Sequence, residues 1–181
     1  MRAAVAPVGH ASGGPDAILA PMSRLFRDLG GQRLGSRGSV VCIGAFDGLH
    51  LGHRALIGRV RERADALSAD AVVVSFEPLP REYFAPAGAE PARLLWPRFK
   101  LCMLAEAGMD TIGLLRFNRT LAAMGAGEFA QRLLVERLGA REVWVGEDFR
   151  FGRGREGDVA LLRALGSAAG FSVPALDAVA M

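Results

Sequence analysis

Val40-Val41-Cys42-Ile43-Gly44-Ala45-Phe46-Asp47-Gly48-Leu49-His50-Leu51-Gly52-His53 passes within fourteen residues from an apolar β-branched run, through a glycine-bearing turn, into the start of a helix. A continuous apolar run of this kind is what a strand buried on both faces requires. The first strand is expected over 40–45. The helix is expected from about His50 to Leu67, with Leu56, Val60 and Leu67 along one face. In a sheet wound this way, ligands bind outside the carboxyl ends of the strands, and the turn after strand one falls there. The free backbone N–H groups and dipole of a helix start attract anions. His50 and His53 are three positions apart and share a helical face, so both rings are directed at one ligand. Gly52 between them leaves room for a phosphate to approach the backbone. The pair therefore reads as a triphosphate clamp, against the alternative of two ordinary helix-start residues. A helix start disfavours a protonated ring and a bound polyphosphate favours it, so protonation is expected to be coupled to nucleotide binding.

Outward from this segment, the chain repeats the alternation of short apolar runs and longer amphipathic stretches, the pattern of βα units around a parallel sheet. Further strands are expected at 71–76, 111–115, 142–145 and 171–173. Further helices are expected at 98–107, ended by Gly108, at 128–138, ended by Gly139, and at 158–169, with Asp158 as N-cap. The stretch Pro78 to Pro97 carries five prolines and reads as a loop long enough to wall a substrate, with Tyr83 and Phe84 as its aromatic surface. Residues 1–37 read as a loosely attached arm, with Met22 an alternative start.

The 181 residues suit one domain and leave no room for a second catalytic one. Apolar runs are short, which argues against a membrane helix, and no secretory signal is apparent, so a cytoplasmic location is expected. Cys42 and Cys102 read as free thiols. The net charge of +3 is scattered among acids and reads as a solvated surface, so no nucleic-acid partner is expected. Lys100 is the only lysine in a chain otherwise rich in arginine, and no function is drawn from it.

The segment Gly44 to His53 resembles the HxGH signature of nucleotidyltransferases in the form found in the FAD synthetase module of bifunctional riboflavin kinase/FAD synthetases. Three later stretches agree in order. Ser75-Phe76-Glu77-Pro78-Leu79-Pro80 is similar to a Phe-Glu-Pro-His-Pro loop, with Leu79 where a histidine is usual. Phe117 to Leu134 resembles the segment between strands three and four. Gly146-Glu147-Asp148-Phe149-Arg150-Phe151-Gly152 resembles a Gly-x-Asp-Phe-Arg-Phe-Gly loop.

The resemblance implies a Rossmann-like three-layer α/β nucleotidyltransferase fold with a central parallel sheet of about five strands. It implies transfer of AMP from ATP to FMN, giving FAD and pyrophosphate, with Mg²⁺ riding on the ATP phosphates and no assigned protein ligand. His50 and His53 become the catalytic candidates, and Gly44, Ala45, Phe46, Asp47, Gly48, His50, Gly52 and His53 the ATP site. Ser75, Phe76, Pro78, Asp148, Phe149, Phe151 and Gly152 become the flavin and nucleotide wall. Asp47 and Asp148 equally suit holding their turns, and Phe149 and Phe151 equally suit anchoring a loop to the core. The family's Ile-Ser-Ser-x-x-Ile-Arg-like phosphate motif is expected after strand five, and Met181 is reached without it. The chain is therefore expected to carry residues 38–181 as an FAD synthetase domain incomplete at its C-terminus, with no riboflavin kinase domain. The alternatives are a nucleotide- or flavin-binding module with little catalysis, or a transferase with another phosphorylated acceptor.

Overall fold

The computed structural model describes residues 23–174 apart from Leu49 and Glu90; the alternative start Met22 and the stretch up to Met181 lie outside the described residues. Five strands, all parallel, form one sheet: β1 (Arg24–Phe26), β2 (Ser39–Ile43), β3 (Asp70–Glu77), β4 (Thr111–Arg116) and β5 (Ala140–Trp144), in the order β1-β4-β3-β2-β5. Side chains alternate across a strand. Val41 and Ile43 accordingly enter one core with Val72 and Val74, while Val40 and Cys42 enter the other with Ala71 and Val73. Helices α1 (Leu51–Leu67) and α3 (Pro97–Glu106) cover the second face. The first is covered by α5 (Ala126–Phe129), which runs into a π-helical segment Ala130–Arg137, and by α6 (Val159–Ala169). Short helices α2 (Pro80–Tyr83) and α4 (Arg119–Ala122) and a 3₁₀ turn at Arg153–Arg155 complete the described set.

The chain leaves β2 toward β3 and β4 on one side and later returns to lay β5 on the other. The reversal makes β2 the switch strand, with its crevice at the carboxyl end. In α1, Leu56, Ile57, Val60 and Ala64 are buried, and Ser68 closes the helix in a left-handed conformation. Asp158 caps α6 by accepting the Leu161 N–H at 2.8 Å. Gly108 and Gly139, at φ +80° and +54°, end their helices as expected.

The structure corrects three expectations. Part of the arm expected over residues 1–37 is a sheet strand: β1 pairs with β4, and the Phe26 ring fills the space left by Gly113, where a Cβ would lie 2.5 Å from Phe26 Cζ. One buried apolar residue in a three-residue strand gives no period to read. The strand expected at 171–173 is a single bridge, Glu142 to Ser172, although Phe171 and Val173 are buried beside it. The proline-rich stretch is not all loop. Pro80 and Pro97 each start a helix, where their missing N–H costs nothing. Glu82 accepts the Leu79 N–H at 2.8 Å to cap α2.

Candidate active site

The glycine-rich turn leaves the carboxyl end of β2, and His50 becomes the N-cap of α1 rather than its first helical residue. Its extended backbone turns the chain so that the His50 and His53 rings stack at 3.8 Å between centroids, 27° from parallel. Gly52 permits this arrangement, since a Cβ there would meet His50 Cε1 at 3.3 Å. The His53 Nδ1 lies 2.6 Å from the Gly48 carbonyl. A carbonyl only accepts, so Nδ1 carries the proton and Nε2 is left for a ligand. Burial lowers the His53 pKa, the Gly48 carbonyl opposes that, and the charge of His50 adds to the lowering. Burial, rather than the helix start expected from sequence, is the main cause of the lowering.

Phe46 sits behind the histidines, fully buried at a positive φ of +46°, its ring 4.9 Å from that of His53. Gly44 is the residue its ring crosses; a Cβ there would lie 3.1 Å from Phe46 Cε2. Ser75, at the end of β3, donates to the Ala45 carbonyl at 2.8 Å, so it braces the turn from below. Gly48, at φ +96°, faces the Leu94 side chain.

Asp47 does not project freely. Its buried carboxylate pairs with Arg81 and accepts the Leu94 and Leu95 N–H groups, both at 3.0 Å to Oδ1. Arg93 bonds Glu77 at 2.8 Å and Glu82 at 2.6 Å. Arg93 holds the Glu82 carboxyl below the usual carboxylate range. These ion pairs strap the proline-rich stretch onto the turn. On that stretch Tyr83 and Phe84 form an edge-to-face cluster with Phe117, which also meets Phe76. Phe84 is 65% exposed and offers its ring outward. Phe76 and the Pro78 turn thus stand beside an aromatic surface that sequence reading located only as far as Tyr83 and Phe84.

The 146–152 loop behaves differently. Phe151 is buried, stacked with Phe149 at 5.5 Å and tilted against Phe129 at 5.9 Å. Gly152, at φ +77°, passes so close to Ala126 that a Cβ would lie 2.7 Å from its backbone nitrogen. Asp148 is exposed. Among the described residues no hydrogen bond joins 146–157 to 44–53, so the structure brings Phe46, His50, His53 and Ser75 together and leaves Asp148, Phe149, Phe151 and Gly152 on a separate loop. A cavity of about 190 Å³ opens elsewhere, between Arg27, Leu115, Asn118 and Arg132. It contains none of the expected site residues and is smaller than the ~300 Å³ usual for ligand pockets.

Sequence reading missed Lys100. Its side chain, 1% exposed, runs under the turn and donates to the Ala45 carbonyl at 3.1 Å and to Ser75 Oγ at 3.3 Å. Its solitary place among arginines was the one available signal. Among the described residues no cluster of three or more His, Cys, Asp or Glu side chains is arranged to hold a metal, and Asp47 is committed to Arg81 and two amides. No described helix is long and apolar enough to cross a membrane.

A wholly parallel sheet with paired histidines on a glycine-rich turn at its switch strand defines a Rossmann-like nucleotidyltransferase arrangement. A crystal structure described as a macrolide-efflux protein from Streptococcus pneumoniae shares the fold, with a TM-score of 0.68 over 84% of this chain and 48% of that one, at 23% identity. The chain belongs to the FAD synthetase family, whose model matches residues 33–181. It is 44% identical over 156 residues to a bifunctional riboflavin kinase/FMN adenylyltransferase of Pseudomonas fluorescens, covering 86% of this chain and 50% of the relative. Against the corresponding protein of Escherichia coli K12 it is 46% identical over 136 residues, covering 75% and 43%. The chain thus spans about half the length of these curated relatives. A relative from Geobacillus thermodenitrificans, 42% identical over 133 residues, is matched over 73% of this chain and 70% of its own length.

Proposed function

We propose that this chain is an FMN adenylyltransferase: an FMN phosphate oxygen attacks the α-phosphorus of ATP, a new O–P bond forms, the bond to the β-phosphate oxygen breaks, and pyrophosphate leaves. The observation that carries this is the stacked His50–His53 pair at the carboxyl end of β2, with Nε2 of His53 left open by the Gly48 hydrogen bond. Family membership supports the choice of reaction.

Nucleotidyl transfer asks a protein chiefly to align nucleophile and leaving group and to stabilise charge on the phosphate oxygens. When protonated, His53 presents an Nε2–H donor to a phosphate oxygen while Nδ1 stays on Gly48. A bound polyphosphate raises the pKa that burial has lowered, so ATP brings its own proton uptake. Gly44, Ala45, Phe46, Asp47, Gly48 and Gly52 shape the nucleotide side, Asp47 by holding the turn. The exposed Phe84 with Tyr83, Phe117 and Phe76 gives a flat flavin ring an aromatic wall beside Ser75 and Pro78. Asp148 and Phe149 close the site from the other loop, with Phe151 and Gly152 anchoring them. The described residues do not fit a protein-held metal centre; magnesium is carried with the ATP phosphates, and no step is derived through it. A cytoplasmic location goes with this reading.

The test is incubation of the purified chain with FMN, ATP and Mg²⁺, following FAD and pyrophosphate. Stoichiometric appearance of both is the expected result. Flavin fluorescence quenching without FAD would replace transfer by binding alone, and adenylylation of a different phosphorylated acceptor would replace FMN.

A further inference from the structure

We propose that Lys100 is a positioning residue that sets the Ala45–Phe46 peptide and, through it, the turn that presents His50 and His53 to the polyphosphate. The inference rests on the adenylyl-transfer reading for the identity of the ligand.

Lys100 lies in the first turns of α3, and its side chain reaches the carboxyl ends of two neighbouring strands. Nζ meets three oxygens: the Ala45 carbonyl at 3.1 Å, Ser75 Oγ at 3.3 Å and the Phe76 carbonyl at 3.5 Å. An ammonium has three N–H donors, and three neutral acceptors stand round it. Among the described residues no carboxylate forms a salt bridge with it. Glu77, Asp47 and Glu82 act on it through space, as does Arg93 with the opposite sign, and burial lowers its pKa. Taking an unpaired ammonium out of water is expensive, and a purely structural role is met more cheaply by an apolar side chain. A planar guanidinium does not match three acceptors at the ends of two strands, which accounts for a lysine where the chain otherwise uses arginine.

The consequence lies in the peptide that Lys100 grips. Ala45 accepts twice on one side, from Lys100 and from Ser75 at 2.8 Å. The Ala45–Phe46 bond is trans, so its N–H points opposite to its C=O. Holding the carbonyl toward α3 therefore fixes the plane of this peptide. The same peptide precedes the positive φ of Phe46, which carries the chain round toward His50 and His53. Lys100 thus acts on phosphate through the turn that carries His50 and His53.

The experiment compares ATP·Mg²⁺ binding by calorimetry and FMN binding by fluorescence quenching in wild type, Lys100→Met and Ser75→Ala. The expected result is an ATP Kd raised roughly tenfold in Lys100→Met, the scale of one lost charge-assisted contact, with the FMN Kd within about twofold of wild type. Ser75→Ala should move ATP affinity in the same direction by a smaller factor. An unchanged ATP Kd in Lys100→Met overturns the inference, as does an equal loss for ATP and FMN. If Lys100→Met does not fold, unchanged ATP affinity in Ser75→Ala overturns it. A wild type that binds ATP without forming FAD sinks the transfer reading and leaves Lys100 standing, whereas a wild type that does not bind ATP sinks both.

Discussion

The turn after β2 and the loop after β5 are held to the same sheet by different balances of contacts. The turn after β2 and the proline-rich stretch beside it are tied by ions and hydrogen bonds: Asp47 to Arg81 and two amides, Arg93 to Glu77 and Glu82, Lys100 to Ala45. The loop after β5 is pegged chiefly by rings, with Phe151 driven between Phe129, Phe149 and the bare Gly157, where a Cβ would lie 2.6 Å from Phe151 Cε1, and is tied besides by the Arg153 N–H to the Met124 carbonyl and the Ala126 N–H to Glu156. Polar tethers are directional and fix where individual amides and imidazoles point. Apolar pegs fix depth but leave polar tips such as Asp148 exposed. On the proposed reading, the first loop would orient the phosphates and the second would close over the flavin.

That contrast breaks first at the peg. Phe151→Ala should destabilise by ~3–5 kcal/mol, lowering Tm by roughly 6–20 °C for a chain of this size. A loss under about 2 kcal/mol in thermal unfolding would show that the ring does not anchor the loop. Second, His53→Ala should cut the rate of FAD formation by ~10²–10³ with Tm nearly unchanged, the reverse of the Phe151 pattern. A variant that keeps wild-type turnover would remove the clamp. Third, Asp47→Ala strands two amides and Arg81 and should cost ~1–3 kcal/mol. Hydrogen exchange should accelerate at Leu94 and Leu95 and stay unchanged at residues 146–157; acceleration in both loops would mean that they are not independently held.

The smallest effect is in pH. Because the folded His53 pKa is lowered, its neutral form contributes stability that is present above the ordinary value of 6.5 and is lost as pH falls below it. Polyphosphate acts in the opposite sense, so ATP should bind more tightly as pH falls, by less than the ~10-fold of a one-unit shift. Calorimetry in buffers of different ionisation enthalpy should show proton uptake on binding. No uptake would remove the His53 Nε2–H as a phosphate donor, because the neutral ring keeps its one proton on Nδ1.

The sheet was legible because β2, β3, β4 and β5 carry apolar runs, that of β2 flanked by Gly38 and Gly44, and because the turn with His50 and His53 follows such a run directly. Strand β1 was not, since Phe26 matters only against Gly113, which lies 87 positions away in the chain and 2.5 Å from its ring once a Cβ is added. Asp47 was legible as a turn residue, but its partners come from residues 81, 94 and 95, inside a stretch whose prolines hide its order. Lys100 illustrates the same limit. Its helix was expected, but the three oxygens that surround Nζ are brought together only by the sheet.

The docking of Phe26 over Gly113 bears on how the molecule avoids its neighbours. β4 is apolar and buried along Thr111–Leu115, and β1 supplies the row of backbone partners that would otherwise stand open on that side. An unpaired strand of this composition is a template for strand addition by another chain. Trimming the polypeptide past Phe26 would therefore convert a covered flank into an adhesive one, and the product to look for is self-association along β4 rather than a smaller monomer.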